Sequence, residues 1–124
     1  MYLGGDHLAG LVFPGYTGGL GKRAHSETTV DAGNYQRRQV IYTGHVQGVG
    51  FRHSTSRIAS RYSVTGFVLN LPDRSVELLV EGTDEELTAF LSDVDARLSQ
   101  HIRNTAVDRR PATGEFRTFE IRYY

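Results

Sequence analysis

The rhythm of apolar and polar positions changes near Arg37. Residues 1–36 follow neither a helical nor a strand period and hold eight of the 14 glycines. They read as a flexible, glycine-rich leader ahead of a folded unit over residues 37–124. Gln39 to Gly44 carries Val40, Ile41, Tyr42 and Thr43, all β-branched or aromatic, which predicts a buried strand. In Phe51 to Tyr62, the residues Phe51, Thr55, Ile58, Ala59 and Tyr62 fall on one stripe of an amphipathic helix. Val64 to Leu71 and Ser75 to Glu81 flank the turn residues Pro72, Asp73 and Arg74, and Val76, Leu78 and Val80 alternate onto one face, the pattern of a hairpin. Thr83 with Glu86 predicts a capping box in which each side chain answers the other's backbone N–H. It opens a second helix bearing Leu87, Phe90, Leu91, Val94 and Leu98. His101 to Asp108 is a weaker strand pattern, and Phe119, Ile121 and Tyr123 alternate as a final strand.

The order β, α, β, β, α, β predicts an α+β domain of ferredoxin-like type: a four-stranded antiparallel sheet with two helices on one face. Such a fold assigns no chemistry by itself.

Composition narrows the chemistry. The 124 residues allow one domain, and 14 basic against 14 acidic side chains leave no net field to attract nucleic acid or an anionic membrane. Absence of cysteine excludes disulfides, thiolate zinc sites and cysteine nucleophiles. No apolar run of about 18 residues spans a bilayer, and Leu8 to Phe13 is short with no basic segment before it, so a cytoplasmic protein is expected.

Gly44-His45-Val46-Gln47-Gly48-Val49-Gly50-Phe51-Arg52 lies between a predicted strand and a predicted helix. Three glycines permit tight turns, consecutive amides can converge on one anion, and the helix N-terminus adds unsatisfied donors. Arg52 could add a planar fork suited to phosphate. Isolated glycines and one arginine would equally suit an ordinary strand-to-helix turn, and no dinucleotide-binding or P-loop spacing is present.

The whole string nevertheless resembles the signature of the acylphosphatase family: Gly, any residue, Val-Gln-Gly-Val, any residue, Phe-Arg. A second segment, Thr65 to Asp73 with Ser75-Val76-Glu77 and Glu81-Gly82, is similar to the family's strand-turn-strand bearing an asparagine. Gly114-Glu115-Phe116 and Phe119-Glu120-Ile121 look like its C-terminal strand. The resemblance covers about residues 39 to 124. It implies a monomeric, metal-free hydrolase of small acyl phosphates that needs no cofactor and forms no covalent intermediate. By that likeness Arg52 and the backbone N–H groups of Val46, Gln47, Gly48, Val49, Gly50 and Phe51 would hold the phosphoryl group, and Asn70 would orient the attacking water.

The chemistry tolerates so small an apparatus. The leaving carboxylate has a conjugate acid of pKa about 4 to 5, so no general acid is required. Phosphoryl transfer depends on positioning and charge stabilisation, which fixed amides and one guanidinium can supply. A catalytically silent anion-binding or interaction module would carry the same fold. RNA recognition motifs share its strand order, but Ser75 to Gly82 offers Glu77 and Glu81 and no stacking aromatic. His45 and His53 fit no zinc spacing and read as exposed. Asp84, Glu85 and Glu86 read as dipole-complementing residues of a first helical turn, and Arg57, Arg61 and Arg97 as solvated helix faces.

Three positions depart from the family's pattern: Ser63 where glycine commonly ends the first helix, Phe67 where tryptophan is common, and Arg74 where the turn commonly has glycine. None is expected to touch the site. Left-handed geometry at Ser63 or Arg74 would cost about 1 kcal/mol each, and a turn reshaped at Arg74 would displace Asn70.

Overall fold

The computed structural model describes residues 34–124; the leader expected over 1–36 lies almost wholly outside the described residues. β1 spans Tyr35–Gly44, beginning four residues before the strand expected from Gln39. It is followed by α1 (Phe51–Ala59), β2 (Thr65–Asn70), β3 (Val76–Thr83), α2 (Asp84–Leu98), a 3-10 turn (Ser99–His101), β4 (Ile102–Pro111) and β5 (Phe119–Arg122).

The expected four-stranded antiparallel sheet is corrected to a five-stranded mixed one, in the order β4-β1-β3-β2-β5. Both late strand patterns pair. β4 runs antiparallel to β1 at one edge, and β5 runs parallel to β2 at the other. The reason lies in residues 112–118, which must cross the sheet between its two edges. They cross at the end where β2 starts, with Gly66 N–H donating to Thr118 O at 2.9 Å, so β5 leaves that end in the same direction as β2.

Alternation places Val40 and Tyr42 of β1, Val68 of β2, and Val76, Leu78 and Val80 of β3 on one face, with Leu78 opposite both Val40 and Val68. Phe51, Ile58 and Ala59 of α1 and Leu87, Phe90, Val94 and Leu98 of α2 pack onto that face. Both helices therefore cover the same side of the sheet, as expected. The Tyr42 and Phe51 rings meet at 5.2 Å across the core and tie the end of β1 to the start of α1.

α1 stops at Ala59, short of the expected Tyr62, because Arg61 N–H and Tyr62 N–H bond to carbonyls three residues back and tighten the last turn. The capping box forms only by half. Thr83 Oγ1 accepts from Glu86 N–H at 3.2 Å, but the Glu86 carboxylate accepts from Ser63 N–H at 2.8 Å instead of returning to Thr83. Ser63 does not adopt a left-handed conformation: among the described non-glycine residues, Arg74 alone has positive φ.

On the face opposite the helices, Glu81 is 1% exposed and its carboxylate is saturated by donors. Oε2 accepts from Arg37 Nε at 2.8 Å, Thr113 N–H at 2.9 Å and Thr113 Oγ1 at 3.0 Å, and Oε1 accepts from Gly114 N–H at 2.9 Å. Phe116 packs edge-on to Phe67 at 5.8 Å beside it. This carboxylate pins the crossing segment that delivers β5. Removing it orphans the backbone donors of Thr113 and Gly114 and strips Arg37 of its buried partner, leaving it only the exposed Glu115 carboxylate and Thr113 Oγ1, so Glu81→Ala should destabilise the fold by about 3 kcal/mol, read as a lower midpoint in urea unfolding.

Candidate active site

The loop from β1 to α1 starts at a register shift between Thr43 and Gly44. Gly44 has φ 132°, and a Cβ there would stand 2.6 Å from both His101 O and Arg103 N, which excludes any larger residue. His45 N–H donates to His101 O at 2.9 Å, pinning the loop's start to the turn before β4. Beyond that pin, the amides of Val46, Gln47, Gly48, Val49, Gly50 and Phe51 donate to no acceptor within the described residues. Gly48 (φ 78°) and Gly50 (φ 79°) are left-handed on either side of Val49, whose φ is not positive. Alternation of left-handed and other conformations is the backbone pattern in which successive N–H groups can turn towards a common side as a nest. Gly50 is also the N-cap of α1, which has no side-chain cap, so the first-turn donors of the helix stay open as well. Buried Val46 and Phe51 fasten the two ends of this stretch in the core.

The loop is held to the β2–β3 hairpin by one side chain. Gln47 Nε2 donates to Leu71 O at 2.9 Å and to Ser75 O at 2.8 Å. From sequence, Gln47 was a candidate only through its backbone amide; this bracing role of the side chain was not anticipated. Asn70, the last residue of β2, directly precedes the braced segment. Its Oδ1 is buried without a hydrogen-bond partner, leaving an acceptor open. Arg52, half-buried in the first turn of α1, donates through Nη1 to Arg122 O at 3.4 Å, and its guanidinium lies 4.7 Å from the centre of the Tyr123 ring. Arg122 pairs with Leu69, the neighbour of Asn70. These links bring Arg52, Asn70 and the loop to the same end of the sheet. No acidic side chain pairs with Arg52 among the described residues.

A cavity of about 390 Å³ adjoins the loop, lined by Gly44, His45, Val46, Gln47, Gly48 and Arg74. Arg52 and Asn70 are not part of its lining. Arg74 is, so this departure from the family pattern lines the space beside the loop. His45 and His53 are exposed, and among the described residues no three His, Asp or Glu side chains stand together as a metal-ligand set.

The acylphosphatase family model matches residues 38–121. The chain belongs to the acylphosphatase family. An acylphosphatase of Methylococcus capsulatus is 42% identical over 88 residues, covering 69% of this chain and 95% of the relative. One from Aeropyrum pernix is 39% identical over 89 residues, covering 70% of this chain and 88% of the relative. The crystal structure of acylphosphatase from Bacillus subtilis superposes with a TM-score of 0.64 at 28% identity, over 71% of this chain and 99% of that one.

Against the acylphosphatase pattern, the hairpin tip carries the sharpest local anomaly. Leu71 O accepts from Arg74 N–H at 3.1 Å and Leu71 N–H donates to Ser75 O at 2.9 Å. This is a three-residue hairpin loop whose last position is left-handed, and Arg74 fills it at φ 79°. The turn keeps its glycine-type geometry despite the arginine, so Asn70 stays at the strand end. Arg74→Gly should raise stability by about 1 kcal/mol, seen as a higher urea midpoint. Asp73 closes the same tip: Oδ1 accepts from Ser75 Oγ and from Ser75 N–H at 3.0 Å. The Ser75 hydroxyl, and then its amide, hold the Asp73 carboxyl below the usual carboxylate range. A lowered folded pKa means that the stabilisation is complete above the ordinary value of about 4 and is lost as pH falls through the lowered one. The stability difference between wild type and Asp73→Asn should therefore shrink on acidification through that window, measured by denaturation at a series of pH values.

Proposed function

We propose that this chain acts as an acylphosphatase on small acyl phosphates, as a cytoplasmic monomer without a nucleic-acid or membrane partner. Its working unit is the part from β1 onward, close to the expected residues 37–124, with the leader ahead of it. The observation that carries the reading is the run of unpartnered amides from Val46 to Phe51, at the sheet end that also holds Arg52 and the open acceptor of Asn70.

In this reading the amides and the Arg52 guanidinium bind the phosphoryl oxygens and stabilise the charge on them as the reaction proceeds. The Tyr123 ring and the Arg122 carbonyl keep the guanidinium in place. Asn70 accepts a hydrogen bond from water through Oδ1 and can donate to the phosphoryl group through its nitrogen. The water oxygen bonds to phosphorus, the bond from phosphorus to the acyl oxygen breaks, and the electron pair leaves on the carboxylate. The water's proton passes to a phosphoryl oxygen or to solvent, so no side-chain base is needed.

Phosphate release from benzoyl phosphate tests this. Wild type should turn over, resist chelators, and be inhibited competitively by inorganic phosphate. Arg52→Ala and Asn70→Ala should each lower kcat/KM by about 100-fold or more. Undiminished turnover in both variants overturns the assignment, and calorimetric phosphate binding with no hydrolysis by wild type would instead identify a silent anion-binding module.

A further inference from the structure

We infer that Arg74 is a specificity-determining residue, selecting acyl phosphates whose acyl group carries a negative charge of its own. This rests on the hydrolytic reading above and adds the substrate class.

The cavity beside the loop shares Gly48 with the amide nest and runs past Gln47 to Gly44. At about 390 Å³ it is within the size range of small-molecule pockets. A substrate whose phosphoryl group occupies the nest must project its acyl part away from it, and this adjoining space is where a short acyl chain or ring would run. Within that lining, Arg74 is the one side chain with a permanent charge. Its guanidinium has no hydrogen bond or ion pair among the described residues. The nearest carboxylate in sequence, Asp73, is already engaged by Ser75. Arg74 is thus a cation open to a ligand, and its backbone is fixed relative to the nest by the two hydrogen bonds from Gln47.

The backbone adds a separate argument. Arg74 holds a left-handed conformation that glycine adopts freely and that L residues adopt at a cost. The side chain does not offset that cost through a hydrogen bond or ion pair among the described residues. A strained residue that carries an unpaired charge and lines a cavity fits a role in ligand recognition. The nest already takes the phosphoryl charge, so what remains for Arg74 is an anionic group on the acyl part, such as a carboxylate or a second phosphate.

The test compares benzoyl phosphate with 4-carboxybenzoyl phosphate, which differ by one carboxylate on the same ring. The quantity read is the ratio of kcat/KM for the carboxylated to that for the plain substrate. Arg74→Gln keeps the strained backbone and loses the charge; Arg74→Gly loses both; Arg74→Lys keeps the charge. The ratio should fall about three- to tenfold in the Gln and Gly variants, chiefly through KM, and stay within about twofold of wild type in the Lys variant. The wild-type preference should also weaken as salt rises from about 0.05 to 0.5 M. An unchanged ratio in Arg74→Gln, with both substrates hydrolysed, overturns this inference and leaves the hydrolytic reading standing. Failure of wild type to hydrolyse either substrate overturns that reading and this inference with it.

Discussion

A loop whose backbone amides are left unpartnered must be held in place by something other than those amides. Here that is the side-chain amide of Gln47, which bridges the carbonyls of Leu71 and Ser75 across the mouth of the hairpin. Together with the single bond from His45 N–H to His101 O and the buried side chains of Val46 and Phe51, it fixes both ends of the stretch while leaving its N–H row unspent. A helical or strand conformation of the same residues would have used those donors internally. The alternation of left-handed glycines around Val49 is the backbone counterpart of the same constraint.

The sheet divides its work between its two ends. At one, the carboxylate of Glu81 gathers Arg37, Thr113 and Gly114 and steers the chain across the open face. At the other, the C-terminal ends of β1, β2 and β5 deliver Gly44, Asn70 and Arg122. β5 links the two: the crossing segment sets its position, and its last residue accepts the hydrogen bond from Arg52. A change in the crossing would therefore reach the guanidinium through the backbone of a single short strand.

Much of this was legible in the sequence, where residues face a buried surface. The stripes of α1 and α2 and the alternation of β3 reflect one-sided burial and were read correctly. β4 was faint because it is an edge strand with exposed residues from Arg103 to Pro111, so burial imposes no period on it. The parallel pairing of β5 was not legible because it depends on the polar crossing around Glu81, whose partners lie far off in sequence. Arg52, Asn70 and the loop stand out in the sequence only through their motif, and the strand pairing brings them to one end of the sheet. The contribution of Arg74 to the cavity, and of the Gln47 side chain to the bracing, arise only once the hairpin folds back on the loop. The Glu86 contact to Ser63 was hidden for the same reason, since 23 residues separate the two.

The long outer strand β4 has a further consequence for the molecule among its own copies. An edge with free N–H and C=O groups is a template for another strand, and Val107, 50% exposed, adds an apolar foothold. Arg103, Arg109 and Arg110 place positive charge along the same ten residues, and Pro111 removes a donor at the far end. Asp108 pairs with Arg110 and offsets part of that charge, but two such edges approaching each other would still bring a net positive charge against its like, so the strand that the core shapes least is guarded against runaway stacking by its own side chains.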